Sequence, residues 1–170
     1  MKQKLTQQRL KFLLHYDPYT GIFTWIRPYA RGIKPNDVAG YTDWSNGNKY
    51  RRITIDGVKY RAGRLAFLYM IGRWPCPNVA YNSHDKLDNS WSNLYETTTQ
   101  GNQRNRKLGK NNTSGTVGVT WCEKTANYNA YITIKYNNIN LGYYNRLGDA
   151  ITARKAAEKA HGFHKNHGTL

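Results

Sequence analysis

The chain has 170 residues, of which 26 are Lys or Arg and 10 are Asp or Glu, so its formal net charge is +16. That length suits one ordinary domain or two small ones, and such an excess of cations attracts polyanions, of which nucleic acid is the first candidate. An anionic membrane fits less well, because the sequence has neither an apolar run of spanning length nor a basic amphipathic helix with a clean apolar face. The N-terminus lacks the unbroken apolar segment of a signal peptide, so we expect a cytoplasmic location, that of the host cell if a phage encodes the chain.

The first quarter of the chain contains signals for one helix, one turn and one strand. The leucines of residues 4–16 have the spacing of a short amphipathic helix. Asp17–Gly21 has the residue types of a tight turn, and residues 21–25 read as a strand. The segment 31–48 is rich in Gly, Pro and Asn, which predicts a loop.

A hairpin and a second helix are predicted next. Asp56-Gly57 separates the short alternating runs 52–55 and 58–60, which is a strong hairpin signal. The apolar spacing of residues 64–71 predicts a helix that ends at Gly72.

Residues 100–114 are polar and basic, with no acidic residue. This basic segment contains Arg104, Arg106, Lys107 and Lys110. Because it has too few apolar side chains to bury a core, we interpret it as an extended linker that follows a phosphate backbone. A solvated tether is the alternative.

The remainder of the chain predicts three strands and a helix. Residues 117–121 and 128–135 alternate apolar and polar side chains, Asn137-Asn138 is a turn candidate, and residues 139–144 supply a third strand. Residues 149–161 predict a helix with a face of small side chains, which consists of Ala150, Ala153, Ala157 and Ala160. The histidine-containing tail that follows is expected to be solvated.

Several short motifs follow one another between residues 58 and 105. They are Arg64-Leu65, Trp74-Pro75, Asp85, Asp88-Asn89, Trp91–Leu94 and Asn102. In this order they resemble the core of HNH endonucleases of the phage and intron-borne kind, and residues 10–25 resemble the leader that precedes that core. The resemblance implies a ββα-metal fold.

The positions that carry the chemistry of this family differ here. The resemblance implies a His as general base, with an acidic residue before it and a later Asn or His to hold a divalent metal ion. Tyr81 stands at the base position, Ala80 at the acidic position and Gly63 at the first His of the family, whereas Asn102 matches the later ligand. Alanine coordinates nothing, and a tyrosine with a pKa near ~10 is a poor base at neutral pH. Asn89 and Asn93 are expected to brace the loop against the helix through amide hydrogen bonds.

His84 is the alternative catalytic residue. It lies three residues after Tyr81 and is a substitute base if the site retains activity, with Asp85 or Asp88 and Asn102 as ligands for Mg²⁺ or Mn²⁺. The opposite interpretation is that His84 is an exposed loop residue and that Asp88-Asn89 is a structural turn.

The C-terminal part resembles a second family. Residues 111–121 (NNTSGTVGVTW), Tyr128–Ile132, residues 141–144 (LGYY) and the Ala-rich helix resemble the ethylene-response-factor type of DNA-binding domain, whose three-stranded sheet enters the major groove. The resemblance implies that outward-facing residues contact DNA, namely Thr120, Asn129, Tyr131, Thr133, Lys135 and Asn140. The arginines of the family are mostly absent from this face, which weakens base-specific readout.

The sequence thus predicts an α+β protein with an HNH-like nuclease domain over 1–99, the basic linker over 100–114, and a three-stranded antiparallel sheet packed on one helix over 115–170. The favoured hypothesis is a DNA-binding protein derived from an HNH homing endonuclease, with its metal and base residues lost. Double-stranded DNA is the expected partner, and the expected phosphate contacts are Arg64, Arg104, Arg106, Lys107 and Lys110. The alternatives are an active nicking endonuclease that uses His84 and Asn102, and a phage factor that binds a host or defence protein.

Overall fold

Helices and small antiparallel sheets are mixed along the chain, as the sequence predicts. The structure is a computed structural model that describes residues 5–28, 30–45 and 47–169. The chain divides into two compact units, Met1–Thr98 and Thr99–Leu170.

The described residues of the first unit form three two- or three-stranded sheets and two α-helices. In chain order its elements are α1 (Gln7–Leu13), β1 (Leu14–Tyr16), β2 (Phe23–Trp25), β3 (Tyr41–Ser45), β4 (Asn48–Ile55), β5 (Val58–Arg61), α2 (Ala62–Ile71), β6 (Asn78–Tyr81), the 3-10 turn Trp91–Asn93, and β7 (Leu94–Thr97). The core contains fully buried side chains from both helices and from β1, β2 and β4, including Leu10, Tyr16, Phe23, Ile53 and Leu65.

Helix α1 is shorter than the predicted 4–16. It begins after Thr6, whose hydroxyl accepts the N–H of Arg9 (3.2 Å), and the backbone becomes extended at Leu14. The reason is tertiary, because β1 pairs antiparallel with β2. The predicted turn between these strands is confirmed: the carboxylate of Asp17 accepts two hydrogen bonds, and Gly21 has a φ of +71° at a point where a Cβ would lie 2.2 Å from backbone atoms.

The predicted loop over 31–48 is wrong in part, because β3 lies within it and pairs with β4. The hairpin at Asp56-Gly57 is confirmed. Both residues have positive φ, +50° and +74°, as a tight turn between twisted strands requires. Helix α2 is also confirmed and ends at Gly72.

The second unit contains the predicted three strands and helix. Its elements are α3 (Thr99–Gln103), β8 (Val119–Cys122), β9 (Asn127–Ile134), β10 (Asn137–Tyr144) and α4 (Leu147–Ala160). The strands form an antiparallel sheet in the order β10-β9-β8. Helix α4 packs on one face of it, where Val119, Ala130 and Ala150 are buried.

The basic segment is not an extended linker. It begins within α3, and the Asn105 side chain is buried. The N–H of Leu108 donates to the carbonyl of Thr169 (3.0 Å), and the N–H of Gly168 donates to that of Arg106 (2.9 Å). These bonds hold the segment against the C-terminal tail, so the prediction of a solvated tail is also wrong; His167 is 3% exposed.

Two local details of the second unit differ from prediction. The turn between β9 and β10 is formed by Lys135 and Tyr136, which have positive φ, and Asn137 already belongs to β10. On α4, Ala150 is buried as expected, but the next buried positions are Arg154 and Glu158, because these two side chains neutralise each other.

Candidate nucleic-acid interface

Three positions of the nuclease-like motif meet in the first unit. Ala80 and Tyr81 end β6 and are 4% and 7% exposed. Gly63 lies in the first turn of α2, where a Cβ would stand 2.8 Å from the Tyr81 hydroxyl oxygen and 3.3 Å from Oδ1 of Asn89. The tyrosine side chain therefore extends to the place that a side chain at position 63 would need.

The residues at these positions are not suited to act as a general base or to hold a metal ion. Burial raises the pKa of the Tyr81 phenol above its ordinary value, with smaller contributions from its charged surroundings, so the hydroxyl keeps its proton at neutral pH. Ala80 offers no ligand atom. Among residues 5–28, 30–45 and 47–169, no three His, Cys, Asp or Glu side chains group as a metal site would require.

His84, Asp85 and Asp88, the alternative catalytic residues, form turns in the loop after β6. His84 is half-buried in the turn after β6, with a φ of +62°, and its N–H donates to the carbonyl of Tyr81 (3.2 Å). Asp85 and Asp88 each accept the backbone N–H two residues further on, at 2.9 and 3.0 Å. Both carboxylates thus close short turns in the loop.

Asn89 and Asn93 brace this loop by hydrogen bonds within the loop itself, whereas the prediction placed these bonds between the loop and the helix. Oδ1 of Asn93 accepts the N–H of Ser83 (2.7 Å), and its Nδ2 donates to the carbonyl of Asp88 (2.8 Å). Asn89, which is 2% exposed, donates from Nδ2 to the carbonyl of Leu87 (2.8 Å). These residues hold the loop whether or not the site is catalytic.

We predict that Gly63→Ala destabilises the first unit by about 1–3 kcal/mol, since the new methyl group forces the Tyr81 ring to move in a packed core. Tyr81→Phe removes the oxygen that the methyl group meets, so the double variant should lose less than the sum of the single variants. Urea denaturation of the four proteins measures this coupling. Strictly additive losses would show that the two positions do not compete for space.

Arg64 is engaged within the first unit. Its guanidinium donates to the carbonyls of Pro77 (3.0 Å) and Pro75 (3.2 Å) and lies 5.9 Å from the centre of the Trp74 ring. The side chain therefore fixes the segment that connects α2 to β6. Its contact with phosphate stays a prediction.

The second unit contains a cavity of about 580 Å³. Five of the predicted DNA contacts line it: Arg104 and Arg106 from the basic segment, and Tyr131, Thr133 and Lys135 from β9 and the turn after it. The other lining residues are Gln100, Gln103, Val117, Gly118, Tyr136, Asn138, Arg154, Phe163 and His167. None of these described lining residues is acidic, so the cavity is suited to an anion.

The remaining predicted contacts lie elsewhere. Thr120 pairs with Asn129, and Asn140 pairs with Tyr131, so these side chains share the sheet face opposite α4. Thr120 and Asn140 are exposed. Lys107 and Lys110 are exposed in the basic segment, and Asn102 lies in α3.

A buried ionic cluster supports the cavity wall and was not predicted from the sequence. Arg154 is 2% exposed; its Nε donates to Glu158 (3.0 Å) and one of its terminal nitrogens donates to the carbonyl of Tyr131 (2.8 Å). Lys155 donates to the second oxygen of Glu158 (2.8 Å). The spacing of four residues between Arg154 and Glu158 is the signal that sequence reasoning overlooked.

His167 belongs to the same cluster. Its Nε2 lies 3.3 Å from a terminal nitrogen of Arg154. Since a guanidinium only donates, Nε2 accepts and the proton of the neutral ring is on Nδ1, which has no hydrogen-bond partner in the described part of the chain. Burial lowers the pKa of His167 to about 4, although the nearby Glu158 acts in the opposite direction.

The chain matches no family model, no curated protein and no solved structure. In the described ranges, no helix has the length and apolar character needed to cross a membrane.

Proposed function

We propose that the chain binds double-stranded DNA through its second unit and does not cleave it. The observation that carries this proposal is that Arg104 and Arg106 of the basic segment and Lys135 of the turn after β9 line one cavity. Guanidinium and ammonium groups are the usual donors to phosphate oxygens, and such contacts supply most of the affinity for DNA irrespective of sequence.

Further features of the second unit support the same function. Lys107 and Lys110 are exposed on the basic segment, which gives additional cations for the phosphates on either side. Hydroxyl and amide groups line the outward face of the sheet, where Thr120 and Asn140 are exposed. Such groups are suited to base edges and sugars, but without arginine they favour weak sequence discrimination.

The first unit supports binding without hydrolysis. A general base contributes roughly 10²–10⁴-fold to such a reaction, and Tyr81 is a buried phenol whose pKa is raised. We expect no nicking of supercoiled plasmid with Mg²⁺ or Mn²⁺. Metal-dependent nicking that His84→Ala abolishes would instead establish the endonuclease alternative.

We predict a strong salt dependence of duplex binding. If about six phosphates are neutralised, the log of the association constant should fall against the log of salt concentration with a slope of about −5. The paired change Arg104→Ala/Arg106→Ala should make the slope about 2 less steep, because two contacts are lost. Fluorescence anisotropy of a labelled blunt duplex at several salt concentrations measures both slopes.

The control changes the same amount of charge elsewhere in the second unit. Lys124 and Lys159 are exposed and do not line the cavity, so Lys124→Ala/Lys159→Ala should leave the slope nearly unchanged. A slope close to zero for the unaltered protein would overturn the proposed function. Equal changes in the two double variants would place the DNA outside the cavity region.

A further inference from the structure

The cavity has the size of a small-molecule site. Its volume of about 580 Å³ lies within the roughly 300–1,000 Å³ of pockets that enclose a small organic ligand. The backbone of a duplex is a convex surface with its bases stacked inside. It would place phosphate oxygens at the mouth of such a cavity and leave the interior unfilled.

The lining supplies three kinds of contact. Arg104, Arg106 and Lys135 are cationic, while Tyr131, Tyr136 and Phe163 are aromatic. Carboxamides come from Gln100, Gln103 and Asn138, beside the further polar side chains of Thr133, Arg154 and His167. These groups match the phosphate and the base of a nucleotide: cations bind the phosphate, aromatic rings stack on the face of the base, and carboxamides bind its hydrogen-bonding edge.

The turn between β9 and β10 presents two of these groups. Lys135 has a φ of +47° and Tyr136 a φ of +68°, the positive values that a two-residue turn between twisted strands requires. Tyr136 is 85% exposed, so its ring is accessible to a ligand.

The end of β9 also borders the cavity as a sheet edge. Strand β8 pairs with β9 only from Cys122↔Asn127 to Val119↔Ala130, and the N–H of Tyr131 donates to Gly118 (2.8 Å) just beyond. After this point β9 continues to Ile134 beside the cavity. Backbone groups of an unpaired strand edge are further donors and acceptors for a polar ligand.

We propose that this cavity binds one unpaired nucleotide together with its phosphate, either free or as part of a single strand. The inference rests on the proposed function, because it names the part of a DNA strand that the cavity takes. The phosphate lies against Arg104, Arg106 and Lys135, and the base stacks on Tyr136. Duplex DNA then binds by its backbone alone, and an unpaired nucleotide adds the contacts of the cavity.

The test compares two exposed tyrosines in the full-length chain. Tyr136 lines the cavity, whereas Tyr19 is 90% exposed and belongs to the first unit. The probes are a 5′-phosphorylated decathymidylate with a 3′ fluorophore and a labelled blunt hairpin duplex. Tyr136→Ala should weaken binding of the single strand about 5- to 150-fold, the range that one stacked base accounts for, and Tyr19→Ala less than about 2-fold.

Thymidine 5′-monophosphate distinguishes the two sources of the nucleotide. The monophosphate should displace the single strand from the unaltered protein. If the monophosphate and the strand bind with equal affinity, the cavity is a site for free nucleotides. If the strand binds more tightly, the cavity takes a nucleotide within DNA. The inference is overturned if the monophosphate does not compete at millimolar concentration, or if the two tyrosine variants lose affinity equally.

The duplex probe separates this inference from the proposed function. If duplex binding depends steeply on salt and the monophosphate does not displace the single strand, the proposed function is retained and the nucleotide site is overturned. If Tyr136→Ala selectively weakens binding of the single strand and the unaltered protein does not bind the duplex, the nucleotide site is retained and the proposed function is overturned.

Discussion

Glu158→Ala is expected to destabilise the second unit by about 3–5 kcal/mol, because it removes one partner of a buried ion pair. The Arg154 guanidinium is 2% exposed, and its bond from Nε to Glu158 measures 3.0 Å. Without the carboxylate, a positive charge remains in the protein interior beside the Tyr131 carbonyl, His167 and the Phe163 ring, none of which is anionic. Desolvation of an uncompensated charge is the dominant cost.

Lys155→Ala is the matched control, since it removes the other cation from the same carboxylate. Lys155 donates to Glu158 at 2.8 Å, but its side chain is half-exposed, and an exposed partner contributes less than about 1 kcal/mol. Hydrogen exchange of the β8–β10 amides in increasing urea reports on the second unit specifically. Equal losses in the two variants would show that burial of Arg154 does not determine the cost.

A second comparison tests the reason for the large effect. Arg154→Met/Glu158→Leu replaces both charges with apolar side chains and should cost less than Glu158→Ala alone, because no unpaired charge is left. The Tyr131 carbonyl loses its donor in this variant, so some destabilisation remains.

The elements that could be predicted from the sequence are those specified by local patterns. Asp56-Gly57 determines its hairpin because only a few residue types tolerate positive φ at both positions. The alternation along β9 likewise predicts which side chains face α4, since Ala130 and Ile132 are fully buried. Helix α4 is long enough for its periodicity to be clear.

The errors come from pairing between distant residues. The basic segment has the composition of a linker, yet its backbone bonds to residues 168 and 169 order it, and composition says nothing about such bonds. In the same way, residues 41–45 contain polar side chains and become a strand through pairing with β4. Long-range pairing overrides local preference in both places.

The candidate site was predicted residue by residue but not as a cavity. Basic and polar side chains could be named as DNA contacts from charge and resemblance, whereas the cavity depends on how the basic segment folds back on β9. Arg154 and His167 were missed because charged or titratable side chains are rarely expected in a core unless their partner is known. The spacing of Arg154 and Glu158 indicates an ion pair, but the burial of that pair is evident only when α4 is placed against the sheet.

His167 should make the second unit less stable as the pH falls from about 6.5 to 4. Its pKa is about 4 in the folded protein, below the ordinary value of 6.5, because burial disfavours the charged ring. At higher pH the ring is neutral in both states and contributes no pH dependence. Below 6.5 the unfolded chain takes up a proton that the folded protein does not, so stability decreases by up to roughly 3 kcal/mol by pH 4.

His167→Gln isolates this contribution, because the carboxamide does not titrate. The free energy of unfolding of the unaltered second unit should fall by about 2 kcal/mol more than that of the variant between pH 7 and pH 5, whatever the variant costs at pH 7. His161→Gln is the control, since His161 is exposed.

Glu158, Arg154 and Arg106 surround the His167 ring. The two arginines reinforce the effect of burial on its pKa, while Glu158 opposes it. An NMR titration in which the His167 ring protonates near pH 6.5 in the folded protein would show that the cluster admits the charge, and the excess pH dependence would then be absent.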